Sequence, residues 1–199
     1  MKEVHPYDAF AEVYDHAMSH VPYSSWALYL YRTAREILGK IPGNVLDLSC
    51  GTGKILYYLQ KRIPDIQGRD GSSSMLSVAR MRLPGVSLTP AKLEGPFPDE
   101  GETQEWIIAC HDSINYLTVE QDMQSHFYEV SRILKKGGLY STDTVTLFNI
   151  KNYFHLKTDY IKKDSLTIRW SNEYNDQNKI LTSDLCFMKN GMERFFERH

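Results

Sequence analysis

The sequence has few cysteines, no long hydrophobic run and almost no net charge, and each shortage excludes a class of protein. Its 199 residues contain three cysteines and no Cys-x-x-Cys pair, which is typical of a reducing compartment, so we expect a cytoplasmic protein. Charged residues interrupt the N-terminal segment and no run approaches the roughly 20 apolar residues of a membrane span, so we expect no signal peptide and no membrane partner. A net charge of −2 leaves no basic surplus for phosphates, which disfavours a nucleic-acid partner.

Metal-binding patterns are also scarce. His16 and His20 have the i, i+4 spacing of two ligands on one helix face, but no cysteine or acid accompanies them in a zinc pattern. We therefore interpret them as surface histidines and expect no metal site.

The pattern of apolar residues divides the chain into three parts. Residues 1–40 place apolar side chains at helical spacing and predict two helices. Residues 41–150 alternate short strands with helices, which favours βαβ units and a parallel sheet. The predicted strands cover residues 44–48, 66–69, 86–89, 106–110 and 139–145. Residues 151–199 change to strict alternation with an Asn-Gly turn, which predicts antiparallel strands. Because the sequence stops within a predicted strand, we expect that part to be incomplete and the chain to be truncated.

The most informative stretch runs from Val45 to Gly53 and reads V-L-D-L-S-C-G-T-G. An apolar strand that breaks into small residues exposes its last amides and lets a ligand approach the backbone closely. Asp70 lies 70 − 51 = 19 residues beyond Gly51, close to the distance of roughly 20 that a strand-helix-strand unit imposes. A lone carboxylate at that point can accept hydrogen bonds from both hydroxyls of a ribose. The stretch therefore predicts a nucleoside-binding site.

The same residues narrow the choice of nucleoside. A dinucleotide site needs a third glycine, and Leu56 stands three positions after Gly53. A phosphate loop needs a hydroxyl where Ile55 stands. Asp47 at the end of the first strand would repel a pyrophosphate, yet it can hold an ammonium group directly or through water. A ligand with ribose, adenine and positive charge but no phosphate remains, and S-adenosylmethionine has this description.

The stretch resembles the first motif of the class I S-adenosylmethionine-dependent methyltransferases, which is usually written V-L-D-L-G-C-G-T-G. Further segments match in the right order, and they are Tyr7 to Asp15, Gly68 to Leu76, Asp112 to Leu117, Arg132 to Gly138, and Phe195 with Glu197 and His199. The chain is most similar to the small-molecule branch, which includes amino-sugar N-methyltransferases. The resemblance implies a Rossmann-like α/β fold with a parallel sheet of order 3-2-1-4-5, flanked by helices and followed by an antiparallel β extension. It also implies that residues 1–40 form a lid, 41–150 the cofactor-binding core and 151–199 a substrate-side extension.

The resemblance also implies a set of cofactor contacts. The set comprises Tyr14, Asp47, Ser49, Gly51, Gly53, Asp70, Gly71, Met75, Leu93, Cys110 and Asp112. Tyr14 can instead belong to a buried aromatic stripe, the more common place for aromatic residues at this spacing, and Asp112 can equally cap the loop after the fourth strand. Two of the departures from the family pattern weaken the expected binding. Ser49 replaces a glycine, and Lys92 stands where an acid commonly accepts a hydrogen bond from adenine.

Methyl transfer is an in-line displacement at carbon, so alignment of a small-molecule acceptor contributes most of the catalysis. Positioning can supply roughly 7–11 kcal/mol, whereas a general base contributes about 3–5 kcal/mol. His111 is the first candidate for such a base because an imidazole pKa of about 6.5 suits an amine near neutrality, and His199 is the second.

Two alternative functions and the oligomeric state stay open at this point. The departures at Ser49 and Lys92 favour a catalytically weak or inactive cofactor-binding relative with an interaction role. A nicotinamide dehydrogenase is disfavoured by the absent third glycine. An unpaired edge on the fifth strand would favour a homodimer.

Overall fold

A computed structural model describes residues 2–199 of the chain. The chain forms two compact units. One unit runs continuously from His20 to Thr144, and the other combines the described residues up to Ser19 with Val145–His199. These divisions differ from the sequence-based boundaries at residues 40 and 150. The second helix accounts for part of the difference, because it packs within the continuous unit.

The helices and strands follow one another as β1 (Lys2–Glu3), α1 (Ala11–Ala17), α2 (Tyr23–Leu38), β2 (Asn44–Asp47), α3 (Lys54–Leu59), β3 (Asp65–Asp70), α4 (Ser73–Arg82), β4 (Ser87–Pro90), β5 (Gln104–Ala109), α5 (Glu120–Ile133), β6 (Leu134–Thr142), α6 (Leu147–Asn149), β7 (Thr158–Lys163), β8 (Leu166–Asn175), β9 (Ile180–Lys189) and β10 (Met192–Arg198). A 3₁₀ turn covers Ser113–Tyr116, and a π-helical turn covers Ile150–Phe154. Among the described residues, no helix is both long and apolar enough to cross a bilayer.

The continuous unit contains a parallel sheet in the order β4-β3-β2-β5-β6. Numbered by the five strands predicted from the sequence, this is the order 3-2-1-4-5, so the predicted Rossmann-like sheet is confirmed. Leu46 and Ile107 are fully buried and pair with each other at its centre. β2 has β3 on one side and β5 on the other. The strands that follow β2 are first added on one side of it and then on the opposite side, so the strand order reverses at β2. In open parallel sheets, ligands bind at the carboxyl ends of the strands beside this reversal.

Local sequence signals account for the helices of this unit. Ser72 precedes α4, and its Oγ accepts a hydrogen bond from the backbone N–H of Met75 at 3.2 Å, which satisfies a donor in the first turn. Gly39 ends α2 in the left-handed conformation, with φ of +67°. Pro64 lies beyond α3 and prevents its continuation.

The other unit contains a second sheet in the order β1-β10-β9-β8-β7. Its four long strands are antiparallel, which confirms the predicted antiparallel extension. Two of its strands were not predicted from the sequence, β7 and the two-residue β1, which pairs in parallel with β10. Phe10 is almost completely buried in this unit, and its ring packs edge-on against Trp170 and Phe187.

Candidate cofactor site

The chain turns sharply between β2 and α3, at the reversal point of the parallel sheet. Gly51 and Gly53 adopt left-handed φ values of +52° and +78°, which favour glycine. A Cβ on Gly53 would lie 2.8 Å from Cδ1 of Leu83, so close helix packing also requires glycine there. A Cβ on Gly51 would meet no atom within 4 Å. The turn is therefore packed at Gly53 and open at Gly51, where a ligand can approach the backbone.

Asp70 ends β3 beside this turn, and the backbone amides of both neighbouring segments hold its carboxylate. Oδ2 accepts the N–H of Gly51 at 2.8 Å, and Oδ1 accepts the N–H of Ser72 at 2.8 Å. Burial raises the pKa of Asp70 above its ordinary value, although both hydrogen bonds oppose that shift. A carboxylate offers about four lone-pair sites, so each oxygen can accept a further hydrogen bond. The geometry suits a pair of hydroxyl donors.

Asp47 ends the neighbouring strand, β2, and is 3% exposed. Its Oδ1 accepts the N–H of Ser49 at 3.1 Å. Burial raises the pKa of Asp47 to about 7, the hydrogen bond from Ser49 lowers it, and the nearby charge of Asp70 raises it further. A cationic group placed beside this carboxyl would favour its ionised form. Asp47 can therefore serve an ammonium group.

The loop after β5 lies beside the turn between β2 and α3. His111 and Asp112 both have left-handed φ values, +67° and +57°, and the Asp143 carboxylate accepts their backbone N–H groups at 2.8 and 3.0 Å. The Ser49 hydroxyl donates to the Ser113 hydroxyl at 2.9 Å and so joins the loops that follow β2 and β5. Asp143 and Ser113 were not predicted as site residues, because an acid after the fifth strand carries no distinctive motif.

His111 lies among aromatic rings of α2. Its ring centroid is 5.8 Å from that of Tyr23 and 5.6 Å from that of Trp26. Burial lowers the pKa of His111, and the charges of Asp112 and Asp143 oppose this shift. The lowered pKa favours the neutral form of the imidazole, which is the form that a general base requires.

The segment that carries Leu93 is held by one face of α5. Nδ1 of the fully buried His126 lies 2.7 Å from the Leu93 carbonyl oxygen, and its Nε2 lies 2.7 Å from the Tyr140 hydroxyl. Because a carbonyl only accepts, Nδ1 carries the hydrogen and Nε2 accepts from Tyr140. One turn along the face, the Glu129 carboxylate accepts the N–H of Phe97 at 2.8 Å. Sequence reasoning missed this network.

Lys92 precedes this segment, and its side chain extends into solvent. It is 79% exposed, with Nζ 3.5 Å from a carboxylate oxygen of Glu94. The Lys92 ammonium group therefore lies at the surface, beside one carboxylate.

Three further predicted contacts belong to the same unit. Gly71 leaves open space, since a Cβ there would approach no closer than 3.8 Å to the Ala91 carbonyl oxygen. Met75 and Cys110 are buried, and burial raises the pKa of the Cys110 thiol. A neutral buried thiol acts as a packing group and not as a nucleophile.

Tyr14 and His199 belong to the other unit, which combines both ends of the chain. They share an aromatic neighbour, because the Tyr7 ring centroid lies 6.2 Å from Tyr14 and 4.5 Å from His199. Their contact with a cofactor or substrate stays a prediction. Across residues 2–199, no group of three or more His, Cys, Asp or Glu side chains is arranged to hold a metal ion.

Comparisons with known proteins point to one chemistry. A family model described as "Methyltransferase domain" matches residues 45–138. The chain is 30% identical over 199 residues to the "Putative methyltransferase YqeM" of Bacillus subtilis (strain 168), a match that covers 97% of this chain and 78% of that protein.

Two solved structures have the same fold. An S-adenosylmethionine-dependent methyltransferase from Clostridium acetobutylicum ATCC 824 superposes with a TM-score of 0.80 at 23% identity, covering 97% of this chain and 80% of that chain. The sugar N-methyltransferase KedS8 from Streptoalloteichus sp. ATCC 53650 superposes with a TM-score of 0.77 at 20% identity, covering 100% of this chain and 78% of that chain.

Proposed function

The chain belongs to the class I S-adenosylmethionine-dependent methyltransferases, and from this premise we propose that it methylates a small-molecule acceptor by in-line displacement. The observation that carries the cofactor site is the Asp70 carboxylate, held by the amides of Gly51 and Ser72 beside an open turn. No observation favours a non-catalytic interaction role.

The proposed binding roles follow from the chemistry of each group. Asp70 accepts the ribose hydroxyls and Asp47 serves the ammonium group, while the open backbone at Gly51 admits the amino-acid end. Gly71 and Leu93 contact the adenine ring. The remaining proposed contacts are Tyr14, Ser49, Gly53, Met75, Cys110 and Asp112. S-adenosylmethionine supplies an electrophilic methyl carbon, so these residues have to bind and align it.

We propose an amine as the acceptor, because KedS8 is named a sugar N-methyltransferase and a neutral imidazole suits an amine. The amine lone pair forms the new bond to carbon as the carbon-sulfur bond breaks, and the amine proton passes to a base. His111 is the first candidate for this base and His199 the second.

We also propose a cytoplasmic location, since the three cysteines are buried thiols. The acceptor is the expected partner, and nucleic acid is not. A homodimer could form along β6, which is an edge strand of its sheet in the described part of the chain.

Calorimetry tests the cofactor site, with S-adenosylmethionine, its demethylated product and NAD as probes. We expect the first two to bind and NAD not to bind. Methyl transfer is then assayed with a panel of free amino sugars as probe acceptors, by release of the demethylated product. Binding of NAD alone would refute the proposal, and turnover only of acceptors without an amine would refute the acceptor class.

A further inference from the structure

The hydroxyl groups of Ser49 and Ser113 form a pair that joins the loops after β2 and β5. Their oxygens lie 2.9 Å apart, and both residues are partly buried. Within the described residues 2–199, neither hydroxyl has another hydrogen-bond partner. A hydrogen bond between two hydroxyls uses one hydrogen and leaves the other, whichever oxygen donates. This hydroxyl pair therefore keeps one O–H donor available to a ligand.

Contacts with the end of β6 hold the loop that carries Ser113. The Thr142 hydroxyl donates to the Ala109 carbonyl oxygen at 2.7 Å, and the Asp143 carboxylate accepts two backbone N–H groups of the loop at 2.8 and 3.0 Å. Ser113 begins the 3₁₀ turn that follows these contacts. The position of its hydroxyl is thus fixed by hydrogen bonds within the continuous unit, before any ligand binds.

Most backbone amides of the turn between β2 and α3 are already used by the protein itself. Four of them donate to oxygens of the chain, and they are the N–H groups of Ser49, Cys50, Gly51 and Gly53. Two of the accepting groups are the carboxylates of Asp47 and Asp70. An anionic ligand group at this turn therefore needs a donor other than these amides, and two acidic side chains repel it. The hydroxyl pair supplies such a donor.

Asp47 places an acceptor beside this donor. Its Oδ1 accepts the backbone N–H of Ser49 at 3.1 Å, so the Asp47 carboxylate and the hydroxyl pair are neighbours. The amino-acid end of S-adenosylmethionine has an ammonium group and a carboxylate on the same carbon atom. A carboxylate next to an uncharged O–H donor is complementary to these two groups.

We propose that the hydroxyl pair of Ser49 and Ser113 is a specificity-determining contact, which donates its remaining hydrogen to the carboxylate of S-adenosylmethionine while Asp47 holds the ammonium group. The inference rests on the proposed function, in which the amino-acid end of the cofactor lies at this turn. The family motif has glycine where Ser49 stands, so it lacks one of the two hydroxyls. The sequence alone predicts that this departure weakens binding, whereas the hydroxyl pair assigns it a favourable contact with ligands that carry a carboxylate.

Decarboxylated S-adenosylmethionine is the probe that tests this contact, because it keeps the ammonium group, the ribose and the adenine and lacks only the carboxylate. Calorimetry of the full chain gives the ratio of the Kd of this probe to the Kd of S-adenosylmethionine. The double variant Ser49→Gly, Ser113→Ala should lower this ratio by about tenfold, the typical effect of losing a hydrogen bond to a charged group. A general loss of structure would weaken both ligands alike and leave the ratio unchanged.

Two further variants complete the test. Ser77→Ala is the matched control, because Ser77 is an exposed serine of α4 whose hydroxyl donates to the Ser73 carbonyl oxygen, and it should keep the ratio of the unmodified chain. Ser49→Gly alone restores the residue of the family motif and serves if the double variant does not fold. It should lower the ratio at least about threefold, since Ser113 loses the partner that orients its hydroxyl.

The outcomes separate this inference from the proposed function. An unchanged ratio in a folded variant would overturn the inference and leave the proposed function standing. An unchanged ratio together with a higher KM for an amino-sugar probe would assign the hydroxyl pair to the acceptor and would also overturn it. Failure of the unmodified chain to bind S-adenosylmethionine would instead overturn the proposed function.

Discussion

Asp47 and Asp70 end neighbouring strands of the same sheet, yet their surroundings prepare them for different partners. Two backbone amides hold the Asp70 carboxylate. Asp47 has one amide and deeper burial, and its pKa rises to about 7. A carboxylate oriented by amides suits neutral hydroxyl donors. A carboxyl group whose pKa is near 7 becomes ionised when a cation lies beside it.

Replacing Asp70 with alanine should weaken cofactor binding at least tenfold. Two charge-assisted hydrogen bonds to the ribose, at about 1.5–3 kcal/mol each, would be lost. Calorimetry with S-adenosylmethionine measures the change. Asp65→Ala is the matched control, because Asp65 begins the same strand and its exposed carboxylate contacts only the side chain of Gln67 among the hydrogen bonds described. Unchanged affinity in a folded Asp70→Ala chain would disprove the assignment.

Asp47→Asn should stabilise the protein at high pH and weaken cofactor binding. The folded-state pKa of about 7 exceeds the ordinary value of 3.8, so between these values the folded protein keeps a proton that the unfolded chain has lost. The contribution of this group to the free energy of unfolding is largest below the ordinary pKa. It falls as the pH rises and is smallest above the folded-state pKa. At 1.36 kcal/mol per unit of pKa, the loss reaches about 4 kcal/mol.

Urea unfolding of Asp47→Asn and the unmodified chain at about pH 5 and about pH 8 checks this sign. The advantage of the variant in the free energy of unfolding should grow by roughly 2–3 kcal/mol between the two conditions. An advantage that is independent of pH would mean that Asp47 does not titrate in this range.

At the scale of secondary structure, α5 shapes the site through its side chains while lying outside it. His126 and Glu129 occupy one face of the helix and hold the backbone of the segment that contains Leu93 and Phe97. The segment has no strand or helix of its own between β4 and β5. Its conformation therefore depends on α5.

His126→Ala should destabilise the fold and weaken cofactor binding together. It leaves the Leu93 carbonyl and the Tyr140 hydroxyl without this buried partner, which costs about 1–3 kcal/mol for each group. Gln124→Ala, an exposed position on the same helix, should change stability by less than about 0.5 kcal/mol. Urea unfolding and calorimetry measure both variants. Equal losses in the two variants would show that the network does not support the segment.

At the scale of the whole molecule, the proposed cofactor residues fall largely in the continuous unit, His20–Thr144. Tyr14, His199 and Glu197 belong to the discontinuous unit, which is built from both ends of the chain.

Cofactor binding should raise the thermal midpoint of unfolding. A ligand at 100 times its Kd stabilises the folded state by about 2.7 kcal/mol, which corresponds to roughly 5–10 °C for a chain of this size. S-adenosylmethionine should produce this shift by differential scanning calorimetry, and NAD at the same concentration should not. The Asp70→Ala chain should lose most of the shift, and a shift of equal size in that variant would contradict the proposed site.

The sequence by itself determined the features that depend on neighbouring residues. Period-two and helical patterns predicted the five parallel strands and the antiparallel extension, since burial of one face requires that spacing. Gly51, Gly53 and Asp70 were found because turn geometry and the length of a strand-helix-strand unit constrain local spacing.

Tertiary structure alone decided the contacts that join distant segments. The Glu197 carboxylate accepts a hydrogen bond from the N–H of Tyr7, which lies 190 positions away in the sequence. The Asp143 carboxylate accepts one from the N–H of His111, which lies 32 positions away. The two-residue β1 exists only because β10 offers it a free edge. Such pairs cannot be recognised from the sequence, because they follow no periodic pattern. Each partner looks like an ordinary polar or apolar residue unless the tertiary contact is known. Burial then makes their hydrogen bonds obligatory.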